Sequence, residues 1–361
     1  MGMIQTIRAG RCYGFSVLVL VLLASGALAE ASGDLPKDFP VSVRLAKGLK
    51  SQPALPLGVA NSLYYTFAQA IEIPNQGGCR GRDIYRFAIE EQKQVRLAEL
   101  SCVVDLFTDG KTGYVSHREN GTLRLSRLLK DRIEPAITDA AMARVIASFA
   151  FKRDGLNLSR SPLDVIAFGV SGEKIFIVAR SQGDTPYLFG KWVDRITQKP
   201  TSNLVLAIPF EGSLDEIVIS EEHPNPLYVI QREDDKRLGR VIKVNLKTSS
   251  LEVMGGDRVL SGDISQGDLK NWSIRSPRLL SSGFRGVLIA DRTPFVFQER
   301  RQIHYLSGDG SYRVLPIPAE DLGGVREWRG GILVSRPLVG EIVWYGEKNP
   351  FEKLTEEGGK P

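Results

Sequence analysis

The sequence has few of the residues that build covalent or metal-based sites. It contains only three cysteines, three histidines and four methionines among 361 residues. A structural zinc site needs about four Cys or His ligands at close spacings, whereas the histidines are scattered at His117, His223 and His304. The C-x-x-C-H pattern of haem attachment is also missing. We therefore expect neither a metal nor a cofactor.

The sequence also lacks a strong charge of either sign. It has 47 Lys and Arg residues against 42 Asp and Glu residues, which gives a formal net charge of +5. A nucleic-acid-binding surface requires a concentrated basic face, and this balance does not provide one. We expect no nucleic-acid partner.

Long apolar runs are absent except near the start, at residues 15–23. Arg8 and Arg11 precede this run without an acidic residue, and Ala27-Leu28-Ala29 follows it. These are the three parts of a secretory signal peptide, predicted here as residues 1–29. An uncleaved anchor is the alternative, but it needs about 20 apolar residues. Cleavage would lower the net charge from +5 to +3, because it removes two arginines and no acid. We expect a periplasmic or, alternatively, secreted protein without a membrane span.

Two of the three cysteines remain after cleavage. Cys79 and Cys102 lie 23 positions apart and would meet in an oxidising compartment, so a disulfide is expected rather than two free thiols. On the chain-entropy model such a bridge contributes roughly 3 kcal/mol of stability.

The mature chain divides into three parts. Residues 30–55 are rich in proline and lysine and are predicted as an extended lead-in, and residues 347–361 are predicted as a flexible tail. Between them, residues 56–346 consist of short segments rich in Val, Ile, Tyr and Phe, bounded by turn residues, which is typical of strands. One exception follows Thr138, where Met142, Val145 and Phe149 predict a helix of about twelve residues.

The strands form a weak internal repeat. Five apolar segments end in an arginine, and a polar turn and a second strand follow each one. The arginines are Arg118, Arg180, Arg232, Arg292 and Arg336. The second strands are predicted at residues 121–125, 186–189, 240–244, 294–297 and 341–344, and residues 63–67 with 84–87 could form a sixth copy.

Units of about 40–60 residues that each contain a hairpin are what a β-propeller requires. Residues 227–254, with a strand, a polar turn, the Arg240–Val-Ile-Lys-Val strand and a further hairpin, resemble a blade of the six-bladed type. The resemblance is architectural and implies an all-β propeller of about six blades with one helical insertion. A β-sandwich or other mixed β fold remains the alternative.

No catalytic motif stands out. The histidines are not accompanied by the G-x-S-x-G turn of serine hydrolases, and we expect each to be packed or on the surface. A lactonase-like propeller hydrolase would hold a divalent cation with Glu, Asn and Asp from different blades. Glu72, Asn271 and Asp291 are of those types, although the S-P-D-G turn of such families is absent. This metal-dependent hydrolase is the alternative function.

The strand-terminal arginines generate the leading hypothesis. If the repeat holds, Arg118, Arg180, Arg232, Arg292 and Arg336 lie at equivalent places on one rim, where their guanidinium groups could bind an anionic ligand or an acidic patch of an envelope protein. The simpler interpretation is that each arginine solvates its hairpin. The sequence thus favours a non-enzymatic, exported binding or scaffold protein.

Overall fold

A computed structural model describes residues 35–49, 52–67, 79–149, 152–153, 156–157, 163–182, 187–201, 206–209, 213–219, 227–232, 239–245, 250–256, 277–283, 285–291, 302–307, 311–319 and 321–352. The predicted signal peptide, His223 and Arg292 lie outside these residues.

The described chain is almost entirely β-structure with one helix. In chain order the elements are β1 (Val41–Ala46), β2 (Pro53–Val59), β3 (Ser62–Phe67), β4 (Arg82–Ala88), β5 (Lys93–Ala98), β6 (Val103–Thr108), β7 (Gly113–Glu119), β8 (Thr122–Leu128), β9 (Ile133–Pro135), α1 (Asp139–Ala147), β10 (Lys152–Arg153), β11 (Leu156–Asn157), β12 (Leu163–Ser171), β13 (Lys174–Ser181), β14 (Tyr187–Asp194), β15 (Leu206–Pro209), β16 (Ser213–Ile219), β17 (Leu227–Arg232), β18 (Gly239–Asn245), β19 (Ser250–Gly256), β20 (Pro277–Gly283), β21 (Gly286–Asp291), β22 (Ile303–Ser307), β23 (Tyr312–Leu315), β24 (Gly324–Trp328), β25 (Gly331–Arg336) and β26 (Glu341–Gly346).

Apart from the short pair β10–β11, these strands form four-stranded antiparallel sheets. We number them as sheet 1 (β2–β5), sheet 2 (β6–β9), sheet 3 (β12–β15), sheet 4 (β16–β19), sheet 5 (β20–β23) and sheet 6 (β24–β26 with β1). Neighbouring sheets contact each other through their first strands, except that sheet 2 contacts sheet 3 through β8 and β12, and the ring closes where sheet 6 contacts sheet 1 through β24 and β2. The sheets therefore form a closed ring with their first strands at the centre, and the predicted β-propeller architecture is confirmed.

Strand β1 closes the ring. It lies within the segment predicted as an extended lead-in, yet it pairs antiparallel with β26 and becomes the outer strand of sheet 6. Val41 lies opposite Gly346, and a bulge separates Arg44 from Ala46. Sheet 6 is thus assembled from strands at both ends of the described chain, which fastens the last sheet beside the first.

Each sheet buries both of its faces, which explains why the strands read as nearly continuous apolar runs. In β13, Ile175 and Ile177 pack in the core towards sheet 2. The intervening Phe176 and Val178 pack in a separate core with Ile242 of sheet 4. Because side chains alternate between faces along a strand, a strand between two cores must be apolar at every position.

The predicted helix begins where expected. Thr138 is the N-cap residue, and its hydroxyl accepts a hydrogen bond from the Ala141 N–H at 3.2 Å. The helix has nine residues rather than about twelve. It connects sheet 2 to sheet 3 and buries Met142 and Val145 between them, and Phe149 joins the same core just after the helix ends.

The predicted disulfide is confirmed. Cys79 and Cys102 are bonded, with their Cα atoms 5.1 Å apart. The bond attaches the chain that enters β4 of sheet 1 to the chain that enters β6 of sheet 2. Beside it, the Val103 N–H donates to the Gly81 carbonyl at 2.7 Å, and the Arg80 N–H donates to the Val103 carbonyl at 2.8 Å.

One predicted pairing is wrong. The strand β21 was expected to pair with residues 294–297, but it pairs with β22, so that Leu288 lies opposite Tyr305. The physical reason is burial: β22 places Ile303 and Leu306, both fully buried, on opposite faces of sheet 5. Residues 294–297 lie outside the described part of the chain.

Aromatic residues pack at the interface between sheet 6 and sheet 1. The Trp344 indole N–H donates to the Trp328 carbonyl at 2.8 Å. Phe351, in the predicted flexible tail, is fully buried with its ring centroid 5.2 Å from that of Trp328. The Trp328 ring lies directly against the backbone of Gly58 in β2, where a Cβ atom would overlap the indole.

This contact yields a first prediction. Replacing Gly58 with valine should lower the free energy of unfolding by about 2–3 kcal/mol, because the new side chain must displace Trp328. Urea denaturation measures the effect. Lys93→Val, which adds the same side chain at an exposed position of β5 in the same sheet, is the control and should change stability little. Equal midpoints for the two variants would contradict the packing described here.

Candidate functional site

The strand-terminal arginines occupy equivalent backbone positions. Within their sheets Arg118, Arg180, Arg232 and Arg336 each lie at the end of the second strand, opposite the start of the third. Second strands run in the same direction in every blade of a ring, so their ends share one edge. We call this edge the upper rim and the opposite edge the lower rim. The side chain of Arg232 is outside the described part of the structure.

Two of these arginines support their own turns. Arg118 donates from Nη1 to the Gly121 carbonyl at 2.9 Å. Arg336 lies 3.7 Å from the Glu341 carboxylate, which also contacts Arg44 at 3.0 Å. These contacts match the simpler interpretation, in which an arginine stabilises its hairpin. The ligand-binding role of the five arginines stays a prediction.

Arg180 differs from the other two. It lies opposite Asp164 of β12 and Leu188 of β14 in the backbone register and is partly exposed. Among the described residues its guanidinium makes no hydrogen bond or ion pair. It is therefore the described rim arginine best placed to meet a ligand.

A group of three charged residues lies deeper, below the upper rim. Arg326 in β24 donates from Nη2 to Asp105 Oδ1 at 2.8 Å and to the Leu106 carbonyl. Arg80 Nη1 lies 4.0 Å from the same carboxylate oxygen. We call Arg80, Asp105 and Arg326 the axial cluster.

The topology places this cluster at the centre of the ring. Arg326 belongs to sheet 6 and Asp105 to sheet 2, and sheet 1 lies between these two sheets. Side chains of sheets that are not neighbours can meet only where the first strands converge. Asp105 is two residues beyond Val103, where β6 begins, which puts it about 7 Å below the upper rim.

Local structure fixes each member of the cluster. Arg80 directly follows Cys79, so the disulfide and the Gly81–Val103 bridge hold its backbone against β6. Asp105 follows a bulge in β6, and its Oδ1 accepts a further hydrogen bond from the Leu106 N–H at 2.8 Å. Arg326 is only 5% exposed. A guanidinium buried to this extent needs a carboxylate partner, and Asp105 supplies it.

The axial cluster has more basic than acidic groups, and this excess of positive charge is relevant to function. Two guanidinium groups flank one carboxylate near the axis, and the rim above them carries further arginines. Positive groups that lie close together raise the local potential and attract anions. Sequence analysis missed the axial cluster. The available signal was a charged residue inside an otherwise apolar first strand, as in Val104-Asp105-Leu106 and Val325-Arg326.

The two described histidines are packed between strands and do not form a catalytic arrangement. The His117 Nε2 atom lies 3.1 Å from the Ser126 hydroxyl, and burial lowers the pKa of His117. The His304 Nδ1 atom lies 2.5 Å from the Tyr312 hydroxyl, and burial lowers the pKa of His304 to about 4. Among the described residues, neither ring is hydrogen-bonded to a carboxylate.

The metal-dependent alternative gains no support from the described residues, which contain no group of three or more His, Cys, Asp or Glu residues that could hold a metal ion. Of its candidate ligands, Glu72 and Asn271 lie outside the described chain, and Asp291 is described only as the last backbone position of β21. In the same part of the chain no helix is long and apolar enough to cross a membrane.

Comparisons with known proteins add no family. No family model matches the sequence, and no curated protein matches it. Among solved structures, the chain is similar to oligogalacturonate lyase from Vibrio parahaemolyticus, with 9% identity, a TM-score of 0.41 and coverage of 84% of this chain and 79% of that chain. It is also similar to the β-propeller domain of the Trilobed protease from Pyrococcus furiosus, with 8% identity, a TM-score of 0.40 and coverage of 82% and 83%. Hydrazine synthase from Kuenenia stuttgartiensis matches with 10% identity, a TM-score of 0.40 and coverage of 81% and 76%.

Burial of His304 predicts acid sensitivity. An unfolded histidine binds a proton below its ordinary pKa of 6.5, whereas His304 in the folded chain resists protonation until about pH 4. Stability should therefore fall as the pH drops through this window, by roughly 3 kcal/mol in total. Urea denaturation from about pH 7 to about pH 4.5 measures the slope, and His304→Gln should flatten it. An unchanged slope in that variant would argue against a neutral, buried His304.

The axial cluster yields a third prediction. Asp105→Asn should lower the free energy of unfolding by about 2–3 kcal/mol, because Arg326 remains buried without a charged partner. Glu134→Gln removes a carboxylate that pairs with the exposed Arg127 and Arg132, and as the control it should change stability by less than about 1 kcal/mol. Combining Asp105→Leu with Arg326→Met should restore most of the loss. Full stability of Asp105→Asn alone would show that the ion pair is unimportant.

Proposed function

We propose that the chain is an exported β-propeller that binds an acidic partner, either an anionic ligand or an acidic patch of an envelope protein, at its upper rim. The observation that carries the proposal is the convergence of guanidinium groups. Sheets 1, 2, 3 and 6 contribute Arg80, Arg118, Arg180, Arg326 and Arg336 to this rim or to the cluster below it.

Three carboxylates on this rim are engaged in ion pairs. Glu341 pairs with Arg44 and Arg336. Glu119 lies 3.7 Å from Arg124, and Glu99 lies 3.3 Å from Arg96. Guanidinium groups bind carboxylates and phosphates through two parallel hydrogen bonds, which suits a partner of opposite charge.

Export supports an extracytoplasmic partner. The Cys79–Cys102 disulfide is of the kind that persists in oxidising compartments, and the N-terminal sequence has the three parts of a secretory signal. We infer a periplasmic location in a bacterial envelope. A rigid ring of sheets that holds variable turns in fixed positions is suited to binding without catalysis.

A charge-matched pair of variants tests this function. We expect Arg118→Ala, Arg180→Ala and Arg336→Ala together to weaken co-purification with the envelope partner and binding to a labelled poly-glutamate peptide, and to reduce the salt dependence of both. The control removes three exposed lysines from the lower rim, Lys111, Lys130 and Lys199, with the same loss of charge.

Thermal unfolding establishes that both triple variants fold. Equal binding by the two variants would overturn the proposed function, because the rim that carries the arginines would then have no special role.

A further inference from the structure

The turn between β25 and β26 exposes two adjacent apolar side chains. Leu338 is 82% exposed and Val339 is 50% exposed. The turn lies on the upper rim, two residues beyond Arg336. Single exposed apolar residues are ordinary on protein surfaces, but two at the tip of one turn form a projecting apolar contact.

The tip is held rigidly. The Asp321 carboxylate accepts hydrogen bonds from the backbone N–H groups of Leu338 at 2.8 Å and of Val339 at 3.1 Å. The Gly340 carbonyl accepts from the Leu49 N–H at 3.0 Å. Gly340 has a φ of +67°, and a Cβ atom there would lie 2.7 Å from the Leu49 carbonyl oxygen, so glycine is required. A side chain whose backbone is already fixed loses less entropy when it binds.

Among the described charged residues around the tip, the basic Arg44, Lys47 and Arg336 outnumber the acidic Glu341 and Asp321. Arg44 is 58% exposed at the side-chain level, and Lys47 is also exposed. The nearby carboxylates are occupied, because Glu341 contacts Arg44 and Arg336 while Asp321 caps the turn. The tip is therefore an apolar projection with basic neighbours.

We propose that Leu338 and Val339 are the apolar anchor by which the upper rim docks onto a protein partner, in an apolar pocket bordered by carboxylates. This inference rests on the proposed function and extends it, because it specifies a folded protein rather than a small anion. Interfaces combine an apolar centre with a polar rim, and the tip and its arginines supply both.

A lipid surface is a poorer match for this anchor. Even a single myristoyl chain binds membranes only marginally, and the two side chains together offer about seven carbon atoms, far fewer than that chain. A pocket on a protein can instead bury both side chains fully. Burial of the exposed parts of a leucine and a valine, less the entropy lost when both side chains are immobilised, corresponds to roughly ten- to hundred-fold in affinity, since every 1.4 kcal/mol is tenfold.

Site-specific photo-cross-linking locates the partner. A photoreactive phenylalanine analogue is placed at position 339 or, as the matched control, at position 196, and the full chain is made in cells that contain its envelope. Ile196 is 73% exposed on a turn of the lower rim, where the Asp194 carboxylate caps the turn in the same way. We expect one protein to cross-link at position 339 and not at position 196.

Binding measurements with the purified chain and its purified partner then test the proposal. Leu338→Ser with Val339→Ser should raise the dissociation constant by about ten- to hundred-fold and leave thermal stability unchanged, whereas Ile196→Ser should change neither. The same double variant should bind poly-glutamate as the original chain does. Serine variants that bind the partner normally, or a cross-link to lipid or to a second copy of this chain, would overturn the inference.

The arginine variants separate the two proposals. Loss of partner binding in the rim arginine variant with normal binding in the serine variant would refute the anchor and leave the proposed function standing. Normal binding in both would refute both.

Discussion

A four-stranded sheet with two apolar faces cannot remain in water, and every sheet of this chain has two such faces. Each must therefore have a neighbour on either side, and only a closed ring gives one to all of them. Closure depends on β1, which completes sheet 6 by pairing with β26. Without that pairing, sheet 6 would expose the edge of β26, and the joint between Trp328 and Gly58 would lose its support. The position of every side chain on the two rims follows from this closure.

The middle strands of the sheets could be predicted from sequence, and the outer and inner ones largely could not. In sheets 2, 3, 4 and 6 the second and third strands follow each other closely in sequence and are rich in apolar residues, so they appear as a repeated local pattern. The innermost β2 contains Pro53, Pro56 and Gly58, which obscure its strand character, and the outer β9 has three residues. The strand β1 is some 300 residues away from β26 in sequence and lies next to it only in the folded ring. Its own sequence therefore predicts only an extended lead-in. The sequence pattern therefore predicts the hairpins, but it does not show which four strands form one sheet.

The candidate site divides in the same way. The rim arginines can be found because each one ends a strand that can be recognised locally, and the disulfide because Cys79 and Cys102 are the two cysteines outside the predicted signal peptide. The axial cluster could not be found by such reasoning. Asp105 and Arg326 are 221 residues apart, and nothing near either one in sequence shows its partner. A single sequence does show a charged residue inside an apolar strand. Such a residue indicates an ion pair, but it does not identify the partner residue.

The described polar contacts of the lower rim hold neighbouring sheets together, whereas fewer of those on the upper rim do. The lower rim therefore serves mainly stability, and the upper rim is available for binding. On the lower rim they join neighbouring sheets: Arg195 of sheet 3 contacts Asp109 of sheet 2 at 2.8 Å, and Arg329 of sheet 6 contacts Asn61 of sheet 1 at 2.8 Å. On the upper rim Arg118 and Arg336 contact groups of their own hairpins, and the disulfide and the axial cluster join sheets there. Side chains on the upper rim can therefore change without opening the ring. A surface whose residues are not needed to hold the sheets together is the one on which a protein can evolve a binding site.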